Sequence, residues 1–308
     1  MSTTEFFFAV GLLVALIVTP LIVAILVRFL VRDELPAEAE EPEADMAQFE
    51  SLGDFWSGMV PHLVELRNRL TKSLIAVALG TMVGFWIVSS PTLLGDTLPN
   101  VLIKHFVPAN VKLQFIAPAE GFVNYMRIAL VLGVAMAVPV IVYQLIAFFA
   151  PGLLPNEKRI VFTALPFVTE LFLAGLVFGW FFTIPAALQF LVSFGTSSLV
   201  DARPSFESVV SIISTLMLWN GLIFELPAII YLLARIGIVN AKMLAQTRRY
   251  AIVIITIAAA IITPTGDPYN LLLLAIPMYL LYELGIFLAR FVPARATAGD
   301  GAPPMTPA

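Results

Sequence analysis

PHLVELRNRL, residues 61–70, stands directly before an apolar run, Ser73 to Val88, that belongs to a series of membrane-length segments. At about 100° per residue on a helix, His62, Glu65, Arg69 and Lys72 share one arc. Leu63, Leu66 and Leu70 occupy the next arc, and Arg67 lies beyond the leucines. This pattern predicts a membrane-surface helix with a charged flank. Two readings of its charges stay open. Glu65 and Arg69, four apart, can simply support the helix by roughly a few tenths of a kcal/mol while the cations orient the chain. Alternatively, the charged flank is where function resides.

Composition sets the class independently. With 60% hydrophobic residues, 12% charged residues and a mean hydropathy of +0.96, the chain is too apolar for a soluble globular domain and reads as a polytopic, all-α membrane bundle. The absence of cysteine excludes disulfides and thiol chemistry, and two distant histidines, His62 and His105, leave little for a metal site. No cofactor is implied. Nine of the 21 acids lie between Asp33 and Asp54, with no Lys or Arg among them, so the net charge of -4 is a local property of that stretch. A basic surface for nucleic acid is not present in the pattern.

A span needs about 20 mainly apolar residues. The candidates are Phe6 to Val27, Ser73 to Val88, Gly121 to Phe149, Ile160 to Phe182, Val209 to Ala234, Tyr250 to Ile262 and Leu271 to Ala289. Tyr250 to Ile262 is short, and Pro264, Gly266 and Pro268 interrupt the chain after it, which predicts a tight final hairpin and a locally thinned bilayer. If the spans alternate, thirteen basic residues, from Arg28 and Arg32 through Arg67, Lys158 and Arg248 to Arg295, face one side, against Lys104, Lys112 and Arg203 on the other. The richer side is cytoplasmic by the positive-inside rule. That places the N-terminus outside, and the acidic linker and C-terminal tail inside. Phe6 to Val27 is preceded by Glu5 and followed by arginines, the reverse of a cleavable signal, and is expected to be a permanent anchor. The expected organisation is an anchor at 1–32, an acidic tether at 33–57, a membrane core at 58–291 and a tail at 292–308. Between the spans, a short amphipathic helix around Leu102 to Phe106, and a helical continuation from Pro185 to Phe194, are expected to cap the outer face.

HLVELRNRL resembles the N-terminal signature of the TatC family, the membrane receptor of the twin-arginine protein translocase. Four further stretches match in the same order: APAEGF at Ala117 to Phe122, FFAPGLLPNEKR at Phe148 to Arg159, FELP at Phe224 to Pro227, and AIPMYLLYELGI at Ala275 to Ile286. The resemblance covers roughly Gly58 to Phe291. It implies a six-helix core in a prokaryotic plasma membrane, to which Phe6 to Val27 is an addition. It also implies binding of twin-arginine signal peptides, TatA-like and TatB-like single-span partners, an oligomer, and export of folded proteins driven by the protonmotive force.

The same resemblance points to site residues. A twin-arginine signal offers two guanidinium groups ahead of an apolar segment, and carboxylates accept them bidentately. Glu65 and Glu157 are the candidates, with His62, Leu66 and Arg67 beside the first. An intraloop pair of Glu157 with Lys158 or Arg159 is the plain alternative. Glu225 lies within a span, where an acid costs a few kcal/mol and usually faces a cavity or a partner. Asn220 precedes it, and Pro227 leaves the Ile223 carbonyl without its helical donor, so a polar notch is expected, with Gln144, Asn124 and Tyr143 as possible neighbours. Glu170 is a second intramembrane acid where the family pattern has an uncharged residue, and is expected to pair with a polar group or be protonated. Gly175 and Gly179 suggest close packing within the chain. Arg127 suggests interfacial anchoring, and Glu283 a partnership with Arg248 or Arg249. Where the family often has glutamine in the outer turn before the last helix, this chain reads GDPYNLL.

Three classes of function compete. A translocase receptor accounts for the charged inner elements and the intramembrane acid together. A secondary transporter accounts for Glu225 and Glu170 as ion sites but leaves HLVELRNRL without a role. An intramembrane enzyme lacks HExxH, GxSxG and any aspartate pair within the spans.

Overall fold

A long apolar run terminates where a breaker stands, and the stretch between Leu70 and Ser73 contains none. In the computed structural model, which describes residues 52–91, 96–108, 111–150, 162, 164–193, 203–263 and 266–292, helix α1 accordingly runs unbroken from Leu52 to Ser89. This corrects the expectation of a separate surface helix: the PHLVELRNRL segment is the inner extension of the first span. Thr71 and Ser73 return hydrogen bonds to the carbonyls of Arg67 and Arg69, so the polar residues at the junction do not compete with the helix. Pro61 sits inside α1, where it has no N–H to donate and its ring crowds the carbonyl four residues before it, yet the helix continues through it.

The remaining elements are α2 (Leu98–Phe106), α3 (Glu120–Phe149), α4 (Leu165–Phe178), a π-turn (Gly179–Thr183), α5 (Ile184–Ser193), α6 (Phe206–Phe224), α7 (Leu226–Ile236), α8 (Ala241–Gln246), α9 (Arg248–Ile262) and α10 (Pro268–Ala289). The described residues form no β-strand, only an isolated bridge between Gln114 and Ser205. Among the described residues, five helical stretches are long and apolar enough to cross a membrane: Val60–Ser89, Glu120–Phe149, Leu165–Val192, Phe206–Ile236 and Pro268–Ala289. Helix α9, at 15 residues, extends only about 22 Å and packs against α10 across the short turn after Thr263. The anchor Phe6 to Val27 and the acidic tether lie outside the described residues.

Small residues set the helix crossings. A Cβ on Gly80 would stand 2.6 Å from the Gly133 carbonyl oxygen, and one on Gly84 would stand 2.7 Å from that of Ala129, so α1 and α3 touch backbone to backbone. Gly175 lies in the same manner against Asn220 and Gly221, so the glycine pair serves intramolecular packing, as the sequence suggests.

The ends are named outer and inner after the basic-residue distribution. At the outer end, Leu98, Leu102 and Phe106 of α2 sink into a cluster with Trp180, Ile184, Val210 and Ile213. His105 stacks on Trp180 with ring centroids 4.8 Å apart. The segments before α3 and α6 are joined by Phe206 N donating to Gln114 O at 3.0 Å. Asp96 opens α2, and bonds from Lys104 first, then Asn100 and the Thr97 amide, hold its carboxyl down at about 2. The outer cap is therefore tied together, and α2 begins four residues earlier than its central apolar residues suggest.

Candidate functional site

The inner extension of α1 carries the first set of candidate residues. Glu65 accepts from Arg69 Nη2 at 2.6 Å and Nε at 2.8 Å, both on Oε1. The plain reading of this pair is therefore realised in the structure, yet it does not exhaust Glu65: Oε2 accepts no bond from a described residue, and the side chain keeps 32% of its exposure. A half-exposed i,i+4 pair contributes only about 0.3–0.5 kcal/mol. A bidentate bond to an incoming guanidinium contributes about 1.5–3 kcal/mol, so such a ligand can replace Arg69 at small cost. Val64, Glu65, Asn68, Arg69 and Lys72 line a shallow depression of about 520 Å³. Leu66 and Arg67 are exposed and lie on other parts of the helix surface, with Arg67 in no ion pair to a described residue, while His62, also exposed, stands one turn before Glu65 on the same arc and outside the lining of the depression. Glu157 and its loop lie outside the described residues.

The second set centres on Glu225. The chain bends where α6 ends and α7 begins, because Pro227 cannot donate and Glu225 N turns to Leu222 O at 3.2 Å. The bend turns Glu225 into a groove of about 600 Å³ walled by α3 (Val138, Leu145), α4 (Phe167, Phe172), α7 (Ile229, Leu232) and the end of α10 (Leu288, Phe291). Glu225 is 7% exposed, and neither carboxylate oxygen has a hydrogen-bond partner among the described residues. Glu225 and Tyr231 are the polar side chains among the residues lining this groove. A buried carboxyl without a partner is costly, so Glu225 is the polar feature of this groove that a packing role does not explain.

The expected notch is narrower than the sequence suggests. Asn220 faces away from Glu225: its Nδ2 donates to Leu216 O at 2.7 Å, and its Oδ1 accepts from Thr183 of the π-turn at 3.3 Å. Five residues on a helix separate two side chains by about 140°, which accounts for the divergence. Gln144 is buried with Oε1 unpartnered, Asn124 is fully buried in the outer half of α3, and Tyr143 packs with Phe162 and Leu232; none of the three lines the Glu225 groove. Glu170 is half-buried on α4, makes no hydrogen bond or ion pair with the described residues, and does not reach the groove.

Two polar arrangements complete the inner end. Glu283 accepts bidentately from Arg248, with Nε to Oε1 at 2.7 Å and Nη2 to Oε2 at 2.9 Å, and Tyr279 adds a hydroxyl bond at 2.8 Å. Of the two arginines the sequence offered, Arg248 is the partner. Arg235, 9% exposed, donates from Nε to the Tyr231 hydroxyl at 3.0 Å, which puts a cation next to the lining of the Glu225 groove. The spacing of four between Tyr231 and Arg235 is the sequence signal for this pair. At the outer end Arg127 lies 3.8 Å from Glu207 of α6, giving the anchoring residue a loose ionic partner.

Comparison with known proteins gives one consistent result. The family described as "Sec-independent protein translocase protein (TatC)" matches residues 61–277. The chain is similar to Sec-independent protein translocase protein TatC of Carboxydothermus hydrogenoformans, 33% identical over 78% of this chain and 95% of that protein. It is similar to those of Deinococcus radiodurans (37% identical; 74% and 84% covered) and Aquifex aeolicus (35%; 75% and 94%). A crystal structure of a twin arginine translocase receptor, TatC, superposes with a TM-score of 0.63 at 34% identity, covering 75% of this chain and 99% of that one.

Proposed function

This chain belongs to the TatC family of Sec-independent protein translocase proteins, and on that premise we propose that it is the receptor and core subunit that binds twin-arginine signal peptides for export of folded proteins driven by the protonmotive force. The observation that carries the reading is the coexistence of two differently prepared carboxylates. Glu65 is held at the aqueous surface in an exchangeable pair, and Glu225 is bare within an apolar groove.

In this reading Glu65, with Glu157 from the loop before α4, accepts the arginine pair, while His62, Leu66 and Arg67 frame the approach. Glu225 offers a polar contact inside the membrane to a single-span TatA-like or TatB-like partner helix, or to the inserted signal segment. Asn220 holds α6 against the π-turn, and Gln144 and Glu170 remain reserve polar contacts for partner helices. The protein acts as an oligomer in a prokaryotic plasma membrane, N-terminus outside and C-terminus in the cytoplasm, with the anchor and acidic tether preceding the core. A transporter reading has less support, because an ion site needs several ligands and the groove offers Glu225 little besides Tyr231.

The test is direct binding. Purified protein binds a twin-arginine signal peptide, and the affinity falls when both arginines become lysines, which keep the charge but lose the planar fork. Equal binding of the two peptides contradicts the reading. Orientation is read separately from the cysteine-free chain: with an impermeant maleimide on intact cells, single cysteines at Ser2 and Thr196 label, and those at Ala39 and Ala302 do not.

A further inference from the structure

On the inner extension of α1, Leu63, Leu66 and Leu70 form a ridge, 49%, 44% and 58% exposed, that no described element covers. Arg67 stands at its edge, exposed and without an ionic partner among the described residues. With the roughly 20 residues that cross the hydrocarbon counted back from Ser89, the inner boundary falls at Leu70, and Leu63 lies about 10 Å beyond it at 1.5 Å per residue. The headgroup layer is only about 5–8 Å deep, so lipid does not account for the outer part of the ridge on an upright helix.

The chain itself supplies a complementary occupant. Residues 33–51 carry Asp33, Glu34, Glu38, Glu40, Glu41, Glu43, Asp45 and Glu50 without one cation, and also Leu35, Met46 and Phe49. On the sequence reading this stretch leaves a membrane anchor at Arg32 and enters α1 at Leu52. Leu52 is about 32 Å along α1 from Ser73. Joining those two points needs a reach of about 32 Å, and 19 residues reach up to about 65 Å, enough to lie along the inner extension with slack.

We propose that the acidic segment 33–51 docks along the leucine ridge of α1, its carboxylates on Arg67 and its apolar side chains on Leu63 and Leu66, and that a signal peptide displaces it. The displacement rests on the receptor reading; the docking does not.

The test uses the full chain in neutral-lipid nanodiscs, spin-labelled at A44C and T71C; Thr71 is exposed and off the ridge. Electron–electron distance measurement at low salt shows a short-distance population. It falls about threefold or more in about 1 M salt, in Arg67→Gln, and in a variant with Glu38, Glu40, Glu41, Glu43 and Asp45 replaced by their amides. A population that is absent in neutral lipid, or one that survives both variants, overturns the docking. Adding a twin-arginine peptide lowers the population. If the peptide binds and the population stays, the competition is wrong. If the peptide does not bind at all, the receptor reading fails while the arms without peptide still decide the docking.

Discussion

Glu65 and Glu225 are the same side chain in opposite preparation. Glu65 lies on an exposed helix surface and holds Arg69 through one oxygen. Glu225 lies in an apolar groove with both oxygens unpartnered. The difference teaches what each can do. In water, a weak internal pair keeps a carboxylate oriented and gives way to a better cation. In the membrane, a bare carboxyl has no solvent to fall back on, and its cost is lowered by protonation or by a polar partner. On the proposed function, the first site selects a charged ligand and the second holds a helix.

The largest expected effect comes from reversing charge at the first site. Glu65→Lys and Glu157→Lys each weaken signal-peptide binding by about tenfold or more, since a favourable pair becomes a repulsion, while insertion of the protein is unchanged. Crosslinking to a twin-arginine precursor measures this, and unchanged crosslinking in both variants removes the assigned site. Next, Glu225→Ala lowers crosslinking to a polar residue on a partner helix by about threefold to twentyfold, the range of interhelical hydrogen bonds, and Glu225→Gln retains more because the amide keeps shape and bonding capacity. Equal loss in both variants would assign the effect to charge instead.

The comparison is sharpened by a residue that looks like part of the second site and is not. Asn220→Ala costs about 1–2 kcal/mol of stability, because it removes the bonds to Leu216 and Thr183, and leaves both kinds of crosslinking intact. Thermal unfolding in detergent and the two crosslinks, taken together, check it. The smallest effect belongs to Arg69→Gln. Releasing Glu65 from an i,i+4 pair changes peptide affinity by less than about threefold, and a larger loss would show that Arg69 itself holds the ligand.

Much of this was legible in the sequence. Membrane-length apolar runs predict the helices, Pro227 predicts the break in helical bonding at Ile223, and the proline and glycine cluster after Ile262 predicts the break before α10, while the roles of Glu65 and Glu225 rest on the family resemblance and await their test. Local pattern did not show that α1 continues through PHLVELRNRL, because an amphipathic stretch beside an apolar one looks the same whether the helix turns or runs straight. Nor did it show Thr183 as the partner of Asn220, since that hydroxyl is brought opposite by the π-turn at Gly179–Thr183, a one-residue insertion without a sequence signature of its own. The joining of Gln114 to Ser205, 91 residues apart in number, depends on tertiary packing that no window of sequence contains.

The most direct test of the central claim pairs two readouts on the same membranes: signal-peptide binding and partner-helix crosslinking, each in Glu65→Lys and in Glu225→Ala. The account predicts that Glu65→Lys loses peptide binding and that Glu225→Ala keeps it while losing the partner crosslink. Loss of peptide binding with an intact partner crosslink in Glu225→Ala would contradict it.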